Sequence, residues 1–194
     1  SELDVIYRTI YKHVHELMDA DAFVISFYDQ ETDLIHAGYA VYGGNVLNNA
    51  KLPPIPLEKE GYGTQSRVIH TGDPFYNRDI SKTDKVTKTK YAVRHNGSIY
   101  EGSPPSNHKD EESVKSAIYV PMKFEGRIIG VMQAQSYRLA AYNQVDIDLI
   151  SALANVAAVA VRNVRLVKKL QVSNEVLDEH RQNLEEMVAE RTRE

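Results

Sequence analysis

The chain has 194 residues, 42% hydrophobic and 26% charged, proportions that place it among ordinary soluble globular proteins rather than disordered or fibrous ones. A chain this long buries roughly 70% of the surface its unfolded form exposes, so a core needs neither disulfide nor metal. Cysteine is absent, which removes thiol nucleophiles, cysteine zinc sites, iron–sulfur clusters and thioether-tethered cofactors, and the balance of 23 basic against 27 acidic residues argues against a dedicated nucleic-acid binder.

The longest nearly apolar stretch, 151–161, is broken by Asn155 and is far shorter than the ~20 residues a membrane span needs. The first residues lack the basic and apolar regions of a signal peptide. The expectation is a cytoplasmic segment of a longer protein, with no membrane span.

In chain order, Leu3, Ile6, Ile10, Val14 and Leu17 recur at spacings of three and four, predicting an amphipathic helix. Residues 22–28 are rich in β-branched and aromatic side chains on both faces, predicting a central strand. After the polar turn 29–33, residues 34–42 form a second strand and close a hairpin before Gly43 and Gly44. The proline-rich stretch 52–57 allows only an irregular or edge strand. Thr64 is placed to cap a short helix that Gly72 ends.

Residues 81–116 are polar and turn-rich, too long to stay structureless inside a compact fold, and Asn96-Gly97 marks a hairpin within them. A clearer hairpin joins 117–124 to 127–136 through Glu125-Gly126. In plain two-residue register, Ile118, Val120, Met122, Ile129, Val131 and Gln133 share one face. Tyr119, Ile128, Gly130, Met132 and Ala134 then share the other, where Gly130 and Ala134 leave room for a helix.

Asn143 is placed to cap a last helix with no breaker from Gln144 to Glu194, about 76 Å if continuous at ~1.5 Å per residue. Leu153, Val156, Ala160, Asn163, Val167, Leu170, Asn174, Leu177, Arg181, Leu184, Val188 and Arg191 keep one heptad register along it. That pattern predicts a parallel two-stranded coiled coil, because a seam Asn satisfies its amide against its twin. Arg181 and Arg191 weaken the seam, and a lone solvated helix laced by surface ion pairs is the plainer alternative.

The motifs carry little chemistry by themselves. Gly61-x-Gly63-x-x-Ser66 follows Glu58-Lys-Glu60 rather than a hydrophobic strand, so it fails as a dinucleotide fingerprint, although the N–H groups of the helix it opens offer an anion site. Seven histidines show no metal spacing, and His36 alone is expected to point into a pocket. Lys82, Lys85, Lys88, Lys90 and Arg94 form a basic cluster that either attracts an anion or is merely a solvated face. Tyr28, Tyr39, Tyr42, Tyr76, Tyr91, Tyr119 and Tyr137 sit on or beside strands, as suits either a small-molecule cavity or core packing.

The order of helix, hairpin, short helix, long insert, hairpin and closing helix resembles the GAF family of sensory domains over about residues 3–167. The stretches that carry it are 18–29, 68–74 with Arg78 and Asp79, and 120–132. The resemblance implies an α+β fold: an antiparallel sheet with the N- and C-terminal helices on one face and the insert over the other, the last helix extending into the coiled coil. It divides the chain into a sensory domain, 1–166, and a signalling linker, 167–194, toward a C-terminal effector.

It further implies an unknown small-molecule ligand on the face away from the terminal helices, with Ser26, Tyr28, Tyr76, Asp79, Tyr91, Gln133 and Gln135 as candidate contacts. Homodimerisation would run through the N- and C-terminal helices, with Leu153, Val156, Ala160, Val167, Leu170, Asn174, Leu177 and Leu184 in the seam. No catalytic or metal site is implied. Covalent bilin is excluded for want of cysteine, and the Asn-Lys, Phe and Asp-Glu pattern of cyclic-nucleotide-binding relatives is missing. Residues 184–194 look like the connector before the dimerisation helices of a two-component sensor histidine kinase, diguanylate cyclase or HD-GYP phosphodiesterase outputs being the alternatives. A ligand-free dimer scaffold is a further reading. Methionine-sulfoxide reduction, an activity hosted on this fold, rests on thiols that the chain lacks.

Overall fold

A computed structural model describes residues 2–82, 91–93, 98–101 and 113–191. They fall into two compact units, Ser1–Val159 and Ala160–Glu194. In the first, α1 (Glu2–Leu17) precedes the hairpin β1 (Ala22–Asp29) and β2 (Leu34–Tyr42), followed by the two-residue strands β3 (Asn45–Val46) and β4 (Ile55–Pro56). Helix α2 (Thr64–Thr71) leads to β5 (Phe75–Asn77), β6 (Tyr91–Val93) and β7 (Ile99–Glu101), and then to β8 (Ser116–Phe124) and β9 (Arg127–Ser136). Helix α3 spans Gln144–Arg191.

The main sheet is antiparallel in the order β3-β2-β1-β9-β8-β5, with β4 also on β2. β1 is therefore central, as its two apolar faces require. Tyr91↔Glu101, Ala92↔Tyr100 and Val93↔Ile99 pair β6 with β7, so the flanks of Asn96-Gly97 do form a hairpin, while the turn itself lies outside the described residues.

Helix α1 is amphipathic along the expected stripe: Ile10 and Val14 are buried together with Tyr7, and Leu3 and Ile6 are half-buried. Leu17 is 60% exposed. Aromatic rings extend the buried face: Tyr7 meets Phe27 and Tyr39 at 6.0 Å, and Tyr11 meets Phe23 at 5.6 Å.

The register of β8 with β9 corrects the face assignment. The two-residue turn is present, with Glu125 at φ 48° and Gly126 at 76° and Phe124 opposite Arg127. The register then shifts between Met122 and Lys123, pairing Lys123 with Ile128 but Met122 with Gly130. This bulge leaves Ile129 unpaired and turns every later side chain of β9 to the other face relative to β8. Ile118, Val120 and Met122 therefore share a face with Ala134, Met132 and Gly130, and Tyr119 lies opposite Gln133. Gly130 makes room for a strand rather than a helix, since a Cβ there would sit 2.1 Å from the Ser26 carbonyl oxygen.

Helix α2 begins with Gly63 at its N-cap, not Thr64, and no side chain caps it; Gly72, at φ 70°, ends it by donating to the Val68 carbonyl. At α3, Asn143 Oδ1 accepts from Val145 and Asp146 N–H, while Asp146 Oδ2 accepts from Asn143 N–H at 2.8 Å, a reciprocal cap. Two acidic residues brace the neighbouring loop: Asp21 accepts from Tyr137 N–H, and Asp19 accepts from Ser136 Oγ and the Arg138 guanidinium. Ile150, Ala154, Ala157 and Ala158 of α3 are fully buried.

One helix among the described residues, Gln144–Val188, is long and apolar enough by length and composition to cross a membrane, a test the core helix of a soluble protein also passes. In the second unit, every residue after Val164 whose side chain is described is exposed.

Candidate functional site

The two faces of the sheet differ in chemistry because alternation along β1 and β9 separates their residues. Phe23, Ile25 and Phe27 pair with Ala134, Met132 and Gly130 on the face that α1 covers. Ala22, Val24 and Ser26 pair with Gln135, Gln133 and Val131 on the other. Toward β5 this second face is filled: Val68 and Ile69 of α2 pack with Ile35, Ala117, Tyr119 and Val131 in one buried cluster. Burial pushes the Tyr119 phenol upward, and Thr64 hydrogen-bonds it.

Toward β2 the same face is open, and a cavity of about 170 Å³ lies there. Ala22, Val24 and Ser26 of β1, Gln133 and Gln135 of β9, and Ile35, Ala37 and Ala40 of β2 form its floor. Leu47, Leu52, Ile55, Gln65 and Val93 enclose it. The irregular 45–57 segment becomes a wall because Ile35 pairs with Ile55, Leu47 N–H donates to the Ala40 carbonyl, and Asn49 Nδ2 donates to the Gly38 carbonyl.

Of the seven candidate contacts, Ser26, Gln133 and Gln135 come together in this lining, and Gln135 Nε2 donates to Gln133 Oε1 at 3.2 Å. Tyr28 donates its hydroxyl to Asp33 at 2.7 Å, and that bond is the main cause pushing its phenol up to about 12. Tyr76 accepts from Tyr142 N–H at 3.0 Å and meets that ring edge-on. Asp79 accepts from Ser81 Oγ, which holds its carboxyl below the usual range, and pairs with Lys82 at 3.2 Å. Tyr91 is placed by its backbone in β6, its side chain lying outside the described residues.

His36 does not point into the cavity: it is exposed, and alternation turns it away from Ile35 and Ala37, which do. Of the basic cluster only Lys82 is among the described residues. Beside the N-terminus of α2, Glu58, only 5% exposed, comes so close that a Cβ on Gly63 would lie 3.3 Å from its Cδ. Among the described residues no three His, Asp or Glu side chains gather as a metal site would need.

The sequence model of the GAF domain matches residues 1–162. The chain belongs to the GAF family. This GAF domain is similar in structure to a GAF domain/HD domain protein from Geobacter sulfurreducens, at TM-score 0.59 and 15% identity, covering 86% of this chain and 95% of that one. It is similar also to a domain assigned to a two-component sensor histidine kinase of Sinorhizobium meliloti 1021, at TM-score 0.55 and 11% identity, covering 87% and 97%. A type II free methionine-R-sulfoxide reductase from Thermoplasma acidophilum matches at TM-score 0.56 and 17% identity, covering 84% and 96%. No curated protein matches the chain. At these identities the structural likeness establishes the fold.

In this GAF domain, sequence reasoning missed Gln65 and the wall residues Leu47, Leu52 and Ile55. Gln65 lies on the short helix α2 rather than on a strand, and no periodicity marks it. Yet its Oε1 is buried without a hydrogen-bond partner, as are Asn49 Oδ1 and Tyr39 Oη. A buried acceptor left unsatisfied costs about 1–3 kcal/mol, so Gln65 at the cavity wall is the polar group with most to gain from an occupant. Its described lining sets hydroxyl and carboxamide groups within an apolar cleft, where they can make hydrogen bonds.

Proposed function

We propose that this GAF domain is a non-catalytic sensory module of a two-component sensor histidine kinase. It holds a small molecule in the cavity beside Ser26, Gln133 and Gln135 and passes its state to a C-terminal kinase domain through a parallel coiled coil with a second copy of the chain, in the cytoplasm. The observation that carries this reading is an exposed apolar stripe on the helix of the second unit. Val167, Leu170, Leu177, Leu184 and Val188 are each 53–64% exposed and share one heptad register with Asn174. Solvent-facing leucines at heptad spacing are stabilised by a parallel twin, and the amide of Asn174 would fix the register. Leu153, Val156 and Ala160 continue the register toward the N-terminus, and exposed Val5 and Leu17 give α1 apolar surface for the same dimer.

Ligand occupancy would bias two packings of the paired helices. Diguanylate cyclase or HD-GYP outputs are the alternatives for the effector, the HD type favoured by the likeness to the Geobacter GAF/HD protein. Thiol-based reduction has no residue to use, since the chain lacks cysteine.

Inserting one or two residues beside Asn174 should disrupt control of an attached kinase, because it rotates the seam, whereas inserting seven restores the register and should preserve it. Equal effects from both insertions, or a monomer by sedimentation at high concentration, would sink the proposal.

A further inference from the structure

Every described residue lining the cavity is uncharged. Its polar groups are a hydroxyl on Ser26, a phenol on Tyr42 and three carboxamides on Gln65, Gln133 and Gln135. Gln133 is 4% exposed and Ser26 2% exposed, so both are held in place by the sheet around them. Because Gln135 Nε2 donates to Gln133 Oε1, that pair still offers the Gln133 amide protons and the Gln135 carbonyl. From α2, Gln65 presents a buried Oε1 that nothing satisfies.

A carboxamide places a donor and an acceptor side by side in one plane, and its natural complement is another such pair, as when Gln or Asn reads an adenine edge. An ion in this cleft would lose its hydration with no countercharge among the described lining residues to replace it. The volume equals roughly six waters, the size of a compound with one or two small rings.

We propose that the cavity takes an uncharged, planar compound of one or two rings that presents a ring N–H beside a carbonyl, the edge shared by lactams and the carbonyl-bearing nucleobases such as uracil and hypoxanthine. Gln65 Oε1 accepts the N–H, while Gln133 donates to the carbonyl; the apolar side chains of Val24, Ile35 and Ile55 cover the ring faces. This rests on the sensory reading of the cavity given above and narrows it to one ligand class.

Calorimetric titration of the full chain with uracil and hypoxanthine tests the class, with orotate, which is uracil bearing a carboxylate, as the charged comparison. The expected result is saturable binding of at least one neutral probe, at least tenfold weaker binding of orotate, and at least tenfold loss in both Gln65→Leu and Gln133→Leu. Gln65→Leu should also raise the melting temperature of the unliganded protein, because it removes a buried acceptor without a partner. Should Gln133→Leu fail to fold, amide chemical-shift changes on adding uracil to the unaltered protein replace it, and they should centre on Ser26, Gln65 and Gln133. Orotate binding as tightly as uracil, neutral binding indifferent to Gln65→Leu, shifts elsewhere on the domain, or no binding of either neutral probe would each overturn the class. The heptad insertions use no ligand, so they report on the sensory reading independently.

Discussion

Replacing Gly130 by alanine tests the arrangement that brings Ser26 and Gln133 together. The added Cβ would lie 2.1 Å from the Ser26 carbonyl oxygen, 3.1 Å from its carbon and 3.3 Å from Phe27 Cα. All three are backbone atoms of the central strand, so no side chain can swing aside. Normal contact distances of about 3.5 Å require β1 and β9 to part locally by about 1 Å, which stretches the ladder bonds around the Ser26–Val131 and Phe27–Gly130 pairs. Overpacking of this kind costs about 1–3 kcal/mol, and one or two weakened hydrogen bonds add about 0.5–1.5 kcal/mol each. The sum, about 1.5–6 kcal/mol, lowers the melting temperature of a domain this size by about 3–24 °C. Differential scanning calorimetry at fixed protein concentration measures it. Gly126→Ala is the matched comparison: its Cβ meets nothing within 4 Å, so only the left-handed φ of 76° opposes it, at about 1 kcal/mol. If Gly130→Ala melts within 2 °C of the unaltered protein, or above Gly126→Ala, the strands are not held as described.

Asn143→Ala removes both bonds its side chain makes to cap α3, keeps the bond from the N–H of residue 143 to Asp146, and should cost about 1 kcal/mol, a fall of about 2–4 °C on a thermal melt, with the body otherwise intact. Tyr28→Phe removes the bond to Asp33 that raises the Tyr28 phenol from its ordinary value near 10 to about 12. A group with a raised folded pKa contributes fully below its unfolded pKa and loses that contribution as pH rises through the folded one. Urea midpoints of the variant should therefore lie below those of the unaltered protein near neutral pH and converge with them between about pH 10 and 12; a gap that stays constant across that window would refute the assignment.

What could be read without the structure is what short stretches of chain decide for themselves. Asn143 caps α3 with groups two and three residues away, Gly72 ends α2 because the αL conformation is open to glycine, and Glu125-Gly126 turns the chain in two residues. The double-faced apolar pattern of residues 22–28 placed β1 at the centre for the same reason: burial on both sides is written in the segment itself. The heptad spacing is local too, and its apolar residues Val167, Leu170, Leu177, Leu184 and Val188 stand exposed on the single chain.

Tertiary structure decided whatever depended on a distant partner. The bulge at Ile129 answers to β1, which presses its backbone on Gly130, and one extra residue there reassigns every side chain beyond it, carrying Gln133 to the face of Tyr119 and Val24. On α1 the aliphatic stripe was legible, but the burial of Tyr7 against Phe27 and Tyr39 and the exposure of Leu17 were not. His36 left the pocket and Gln65 entered it for the same cause. Which way a side chain faces is fixed by neighbours far along the chain, and a carboxamide gains meaning as a binding group only once the fold has buried it without a partner.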